Sequence, residues 1–354
     1  MLEGTFLKHS RIPLITHQTW RTLETESWND IIRESVEQWI EVAMGDGTAD
    51  GPEMAWFLWD DDGIDALTKE FATDMYDDIQ KLPYPVELAD MFRVLVLKWF
   101  GGIYADVDAR PLKHPYGWIQ ESDLTPWTDA SSGTELALHN PDRDEYALPS
   151  YTPASYRALF EDAVAASTSQ PSINAIFGIG ADNLPDPDPT YWRMGYTYPV
   201  QVTNWASVMA PHHIVADQFL QTLISDIDRQ SEDLQIVDPL DITGPPALTA
   251  AIQLVTRRED PALAWNSLSW RNPGDPVGGR GKVVAGDALI LPITGFNPGR
   301  SWFQNMGSKS TSHPNARLWH AAAGSWRKMD LKVQFGKFCR VSLGMCKEWK
   351  KIPT

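Results

Sequence analysis

The chain has 354 residues, more than the ~100–200 of one small domain, which leaves one large α/β domain with insertions or two domains sharing a cleft. With 43% hydrophobic and 22% charged residues, its composition excludes a disordered, collagen-like or coiled-coil protein. The formal charge of −17 would repel a polyphosphate backbone and argues against nucleic acid as a partner, whereas it suits a bound divalent cation or a neutral sugar. Sixteen tryptophans favour the sugar, because indole faces stack on pyranose C–H surfaces, although tryptophan also fills ordinary cores.

In chain order, residues 11–20 read as a short buried strand running into a polar loop, and Trp28, Ile31, Ile32, Val36 and Trp39 give 28–42 a helical spacing. A second apolar run, 54–59, stops at Asp60-Asp61-Asp62-Gly63, as a parallel strand ends in a functional loop. Those aspartates either contact a nucleoside or form a solvated acidic turn. Leu82-Pro83-Tyr84-Pro85 excludes helix and sets a start near Val86. Over 86–100, Leu88, Met91, Phe92, Leu95, Val96, Trp99 and Phe100 recur every three or four residues, and Val94 and Leu97 make the other faces apolar, so this helix is expected to be buried. Gly101-Gly102 caps it, and Ile103-Tyr104-Ala105 forms a strand ending at Asp106-Val107-Asp108.

Residues 120–200, rich in Pro, Asp, Ser and Tyr, read as an insertion or lid with a strand at 135–139 and a weak helix near 154–166. Helices follow at 213–227 and 247–257, separated by a turn at Thr243-Gly244-Pro245-Pro246, and then a strand at 286–292. A Gly/Asn/Ser-rich loop leads to His320 and Gly324-Ser325-Trp326, and a basic tail occupies 331–354. If Cys339 and Cys346 sit on a helix, seven residues set their sulfurs about two turns apart, so free thiols are expected. No run of about 18 apolar residues and no signal-peptide core occur, which predicts a soluble chain without a membrane segment.

Asp106 and Asp108 are two apart in a strand-to-turn segment, which in a regular strand points both to one side, where two hard oxygens can hold magnesium or manganese. Such a cation bridges the phosphates of a nucleotide leaving group and neutralises charge as the bond breaks. A bare Asp-x-Asp is also common in solvated turns. Asp90 and Arg93 lie one turn apart on an otherwise apolar helix, so they form a buried i,i+3 pair or face a polar cleft. The short path from that helix to Asp106-Val107-Asp108 brings all four charges near a strand's carboxyl end, the usual ligand position in an open α/β sheet.

The segments 12–20, Leu88-Ala89-Asp90-Met91-Phe92-Arg93 and Gly101-Gly102-Ile103-Tyr104-Ala105-Asp106-Val107-Asp108 together resemble glycosyltransferase family 32. Thr243-Gly244-Pro245, the run 286–299, and His320 with Gly324-Ser325-Trp326 resemble its fungal initiation-specific α-1,6-mannosyltransferase branch. The resemblance spans 11–328 and implies an α/β GT-A fold over 1–330, a nucleotide-sugar donor, a manganese (or magnesium) ion and transfer with retention of configuration. It assigns Asp106 and Asp108 to the cation, joined by His320, with Asp106 shared between cation and ribose. Asp90 and Arg93 would hold hydroxyls of the transferred sugar, Ser325 and Trp326 the donor phosphates, and Thr19, Trp20 and Tyr104 the base and ribose. Core packing is the alternative for Trp20, and Asp287 is a candidate second-shell or acceptor-side carboxylate.

The implied activity is transfer of mannose from GDP-mannose to a mannose-containing glycan of the N-glycan type, in the Golgi lumen. Other readings are a UDP-hexose donor, sphingolipid mannosylation, a phosphatase of the haloacid dehalogenase type with Gly286-Asp287 as its second metal site, and a non-catalytic sugar-binding protein.

Overall fold

The computed structural model describes residues 6–45, 51–129, 133–138, 172–183, 191–230, 238–261, 263, 265–268, 283–300, 306–322 and 331–347. A seven-stranded mixed sheet is flanked by helices, an α/β architecture as the sequence motifs imply. β1 (Ile15–Thr19) lies between β2 (Ala55–Trp59) and β3 (Gly102–Ala105), all parallel. The long β8 (Val200–Met209) then pairs antiparallel with both β3 and β7 (Ala175–Asp182). β10 (Ala288–Leu291) runs parallel to β7, and β9 (Val283–Ala285) closes the edge antiparallel to β10. Two small ribbons accompany this sheet: β4 (Ala109–Pro111) with β11 (Leu318–His320), and β5 (Trp127–Thr128) with β6 (Glu135–Leu136).

Side chains alternate across the pleat, and the alternation builds two cores. Tyr104, Phe177 and Ile290 face one side, where they meet Phe92 and Leu95 of α3 (Pro85–Phe100), Phe219 of α4 (Ile214–Gln230) and Ile252 of α5 (Pro245–Glu259). Their neighbours Ile103, Ile176 and Leu289 face the other side and pack with Trp39 of α1 (Asp30–Met44), Trp118 and Phe296. Burying the sheet on both faces leaves its strand ends as the place for chemistry.

α3 is buried on nearly every side, as its all-round apolar spacing predicts. Its end is fixed by geometry that only glycine meets. Gly101 and Gly102 have φ of 65° and 96°, and a Cβ on Gly102 would stand 2.4 Å from the Ile15 carbonyl oxygen, inside the β1 backbone. His17 of β1 secures the same junction. Its Nδ1 accepts from the Trp59 indole at 3.3 Å, which leaves Nε2 to donate to the Gly101 carbonyl at 3.2 Å. Burial lowers the His17 pKa to about 4, so the ring stays neutral in this role.

Several expectations change. Residues 175–182, inside the stretch read as an insertion, form the fully buried central strand β7. The strand expected at 135–139 is observed only at Glu135–Leu136, with His139 outside the described residues, as is the whole helix expected near 154–166. β2 is an edge strand with Phe57 47% exposed, and Asp60 ends it by capping α2 (Asp61–Phe71): its side chain accepts the Gly63 N–H at 2.8 Å. Asp61 and Asp62 occupy the first turn of that helix, where negative charge complements the helix dipole.

The cysteines also depart from expectation, because Cys339 and Cys346 form a disulfide with Cα atoms 5.9 Å apart. No continuous α-helix joins the two cysteines. After α6 (Leu331–Phe338) the chain widens into a π-turn at Cys339–Leu343, and Gly344 and Cys346, both at φ near +60°, fold it back on itself. The described part of the basic tail is therefore ordered structure.

Glu87, in the first turn of α3, is fully buried, and one of its oxygens accepts the Tyr84 N–H at 3.0 Å. Burial pushes its carboxyl up to about 7. The folded pKa lies above the unfolded value, so the folded state holds the proton more tightly; the associated stability is full below about 4.5 and is lost as pH rises through 7. Replacing Glu87 with Gln should flatten this dependence, narrowing the difference in unfolding free energy between pH 5 and pH 8 by on the order of 1–2 kcal/mol. Denaturant titrations of both proteins at the two pH values measure the change.

Candidate active site

The turn after β3 is set by its backbone. Asp106 donates its N–H to the Trp205 carbonyl of β8 at 2.8 Å, and its own carbonyl accepts the Ala109 N–H at 2.8 Å. Between the two aspartates, Val107 is buried against Trp28, Ile32 and Val36, and this anchors the turn from behind. β11 then delivers the third group. His320 stands opposite Ala109 in the β4–β11 ribbon, and Ala321 donates to the Asp108 carbonyl at 3.0 Å.

Consequently His320 Nε2 lies 3.0 Å from Asp108 Oδ1 and 4.0 Å from Asp106 Oδ2. One ligand atom from each of the three falls within 4.8 Å of the others, the only such grouping among the described residues. The Trp205 indole stacks on the imidazole at 4.7 Å with planes 7° apart, which fixes the ring's orientation. Two carboxylate oxygens and one imidazole nitrogen, all partly accessible, form a mixed set that fits manganese or magnesium.

Beside this cluster, Arg93 is held by several partners at once. Its Nη2 sits 2.9 Å from Asp90 Oδ1 and 3.3 Å from Asp106 Oδ1, its Nη1 donates to the Asn204 carbonyl at 2.8 Å, and its guanidinium lies over the Tyr104 ring at 5.1 Å. Asp90 also accepts from Asn204 Nδ2 at 3.0 Å and from Thr243 Oγ1 at 3.2 Å. Burial opposes both charges. It raises the Asp90 carboxyl to about 6, with Arg93 pulling the other way, so Asp90 remains ionised at neutral pH. Around Arg93 the two carboxylates outweigh burial and hold the guanidinium firmly charged. Asp106 is raised as well, by burial first and by Asp108, against the pull of Arg93. The sequence left a buried pair and a cleft-facing pair open, and the structure combines them: the ion pair is buried, and through Arg93 it touches the Asp-x-Asp.

The other expected donor residues spread along the same strand ends. Thr19 Oγ1 and the Tyr104 hydroxyl share a hydrogen bond of 2.9 Å, and Tyr104 reaches Asp106. The Tyr104 hydroxyl is held protonated by burial and by the Asp106 charge. Trp20 is partly buried against Trp28, Ile32, Val36 and Val107, the packing role given as its alternative, and Arg21 lies over its ring. Ser325 and Trp326 lie outside the described residues.

Asp287 is corrected. It precedes β10 beside Ala175, Met209 and Gly102, at the sheet edge opposite Asp106, where it binds Asn174 at 3.0 Å and His213 at 3.2 Å. That position rules it out as an acceptor-side group, and with it the second metal site of the phosphatase reading.

Sequence reasoning missed Asn204 and Trp205, which come from a strand it did not anticipate, and gave no role to Thr243 or Gln18. Gln18 donates to the Asp106 carbonyl at 3.1 Å and accepts from the Trp56 indole at 2.9 Å, tying the turn after β3 to β1 and β2. Both Thr243 and Gln18 lie within segments that carry the family resemblance, and that was the available signal.

This geometry coincides with a family match. Residues 36–125 match the family described as a glycosyltransferase sugar-binding region containing a DXD motif. The chain thus carries a glycosyltransferase sugar-binding region with Asp106-Val107-Asp108 as its DXD motif, in agreement with the resemblance to glycosyltransferase family 32. More particularly, the chain is 30% identical over 253 residues to the initiation-specific alpha-1,6-mannosyltransferase of Schizosaccharomyces pombe, covering 70% of this chain and 48% of that protein. It is also 34% identical over 97 residues to the mannosyl phosphorylinositol ceramide synthase CSH1 of Saccharomyces cerevisiae, covering 27% of this chain and 23% of that one. The chain thus spans about half the length of the first relative and about a quarter of the second. Among solved structures, the PaToxG glycosyltransferase aligns with a TM-score of 0.37 at 14% identity over 73% of each chain.

Removing Arg93 leaves Asp90 buried without a counter-charge, so Arg93→Ala should lower stability by about 3–5 kcal/mol. Arg93→Lys keeps the charge but cannot reach Asp90, Asp106 and the Asn204 carbonyl together, and should lose less than half as much. Urea unfolding of the three proteins measures both losses.

Proposed function

We propose that this protein is a metal-dependent, retaining mannosyltransferase that moves mannose from GDP-mannose to a mannose-containing acceptor of the N-glycan type. The observation that carries the reading is the convergence of Asp106, Asp108 and His320 with the buried Asp90–Arg93 pair at the carboxyl end of β3. Mannose is favoured because both relatives are named as mannosyl-transferring enzymes; GDP and the glycan acceptor rest on the branch resemblance. The Cys339–Cys346 disulfide suits an oxidising compartment and agrees with a Golgi lumen. A second reading, with a sphingolipid-type acceptor, is favoured by the match to the ceramide synthase.

The residues divide the work. Asp106, Asp108 and His320 would hold the cation, which supplies positive charge to a diphosphate leaving group. Arg93, fixed on four sides, adds a charge beside Asp106 that need not reorganise during reaction. Asp90 keeps that arginine oriented. A double displacement needs an enzyme nucleophile on the face opposite the leaving group. The three carboxylates of the cluster are already engaged: Asp90 by Arg93, Asn204 and Thr243, Asp106 by Arg93 and Tyr104, and Asp108 by His320. The reading is therefore a same-face reaction in which the departing phosphate takes the acceptor proton.

Asp108→Asn should abolish transfer from GDP-mannose while the protein stays folded, and His320→Ala should weaken the affinity for manganese without erasing it. A screen of GDP- and UDP-sugars against glycan and inositol-phosphoceramide acceptors, run with a manganese titration, tests donor, acceptor and cation together. Normal transfer by folded Asp108→Asn would remove the metal assignment. For the same-face route, a slow fluorinated donor followed by mass spectrometry should leave the protein at its unmodified mass; a glycosyl adduct on an aspartate or glutamate would replace that route with double displacement.

A further inference from the structure

A glycosyl transfer joins two sugars, and the residues placed so far concern one of them. Thr19, Tyr104, Asp90 and Arg93, read as donor-side groups, belong to β1, β3 and α3. In the sheet, β8 and then β7 flank β3 on the side away from β1. β8 begins and β7 ends at the edge that carries Asp106, because Ala105 stands opposite Ala206 and Val200 opposite Asp182. The connection between β7 and β8 therefore meets the cation cluster from the side opposite the donor residues.

The described part of that connection is rich in rings. Tyr191, Trp192, Tyr196 and Tyr198 fall close together, and every residue from 191 to 199 stays partly exposed. Tyr196 packs on Ala181, Ile293 and Met306, whereas Tyr191, Trp192 and Tyr198 join none of the hydrophobic clusters among the described residues. The turn is nevertheless fixed. Gly195 makes it at φ 89°, and the Gln201 side chain accepts the N–H groups of Thr197 at 3.1 Å and Tyr198 at 3.3 Å. Thr197 Oγ1 donates to Asp241 at 3.0 Å, on the short helix Pro239–Ile242 that leads to the Thr243 holding Asp90. From outside, Gly344 packs so closely on Arg193 that an added Cβ would stand 2.6 Å from its guanidinium. Tyr196 is also linked to the cation cluster. Its hydroxyl accepts from Arg300 Nη2, and Arg300 Nη1 donates to the Gly180 carbonyl at 2.9 Å. Gly180 lies against Trp205, where an added Cβ would press on the indole at 3.2 Å, and that indole is the one stacked on His320.

We propose that the turn 191–198 binds the acceptor sugar, a neutral hexopyranose, with Trp192 and Tyr196 as its stacking faces. The inference rests on the transferase reading of the cation cluster and gives the second substrate its place beside it. A pyranose offers an apolar C–H face and a rim of hydroxyls. Aromatic rings meet the first, and phenolic hydroxyls at their edges meet the second. Arg300 is engaged by Gly180 and Tyr196, and Arg193 lies over the Trp192 ring and under Gly344, so the turn presents rings and hydroxyls more than charge. That surface suits a sugar better than a phosphate-bearing headgroup. Because Gln201 and Asp241 already hold the backbone, binding orders little that was loose.

The test separates binding from transfer. Saturation-transfer NMR on the whole protein, with and without manganese and GDP, should show mannotriose bound. Trp192→Leu and Tyr196→Leu keep apolar bulk but remove the flat faces, and each should weaken that binding by about tenfold. Tyr196→Phe keeps the ring and its packing and should lose less than about threefold. In the transfer assay the leucine variants should raise the acceptor KM by the same factor while the donor KM stays as in the wild type, as expected when binding common to ground and transition state is removed. Hydroxyl-radical footprinting of the wild type checks the site without any substitution: mannotriose should protect Trp192 and Tyr196 from oxidation. Unprotected rings overturn the proposal even where a leucine variant fails to fold. So do a wild type that binds no mannotriose in either condition, undiminished binding by both folded leucine variants, and a rise in donor KM in place of acceptor KM. Mannotriose bound at these rings without transfer from GDP-mannose would instead remove the donor reading and leave the sugar site standing.

Discussion

One guanidinium organises the strand-end edge that carries Asp106 and Asp108. Arg93 projects from a helix that is otherwise apolar, and the cost of burying its charge is offset by Asp90, Asp106 and the Asn204 carbonyl around it. Removing a charge from water is costly, and recovering that cost demands a complete set of partners with good geometry. The demand runs both ways. Asp90 keeps its negative charge because Arg93, Asn204 and Thr243 satisfy it, and Asp106 is placed in the turn after β3 with one oxygen facing Arg93. Positions of α3, β3, β8 and the Thr243 turn are thereby coupled through one ion network.

The sheet supplies the precision that this network needs. Hydrophobic clusters on both faces hold the strands, while Gly101, Gly102 and neutral His17 lock the end of α3 against β1. A shift of β3 relative to β1 would break the Gln18 bond to the Asp106 carbonyl and the Thr19–Tyr104 hydrogen bond together. Backbone bonds do much of the placing of the charged groups. Side chains that hold a cation or a diphosphate need such fixed frames, because reorientation during reaction would cost part of the stabilisation they provide.

Much of this was legible because the periodicities were strong and local. The apolar spacing in α3, the Gly-Gly cap and the short strand into Asp106-Val107-Asp108 each follow from neighbouring residues. What could not be read depended on distant partners. β7 escaped because Gly178 and Gly180 dilute a short apolar run that lies beside a Pro- and Asp-rich stretch, and its strand character comes from pairing with β8 and β10. Asn204 and Trp205 were invisible for the same reason. Asp287 misled because a glycine-aspartate pair before a strand looks alike at either edge of a sheet, and only the register distinguishes them. The cysteines misled because the seven-residue spacing assumes a continuous helix, whereas two left-handed residues turn the chain back.

His320 reaches Asp108 only because β11 returns to pair with β4, across more than two hundred residues of intervening chain. Contacts of that sequence separation form late, since the loop they close must be ordered first. A nascent chain emerging from the ribosome would therefore present Asp106 and Asp108 long before it could add the imidazole. The complete grouping of Asp106, Asp108 and His320 is thus a property of the finished fold, gained once synthesis has passed β11, and an incomplete polypeptide holds only its two carboxylates.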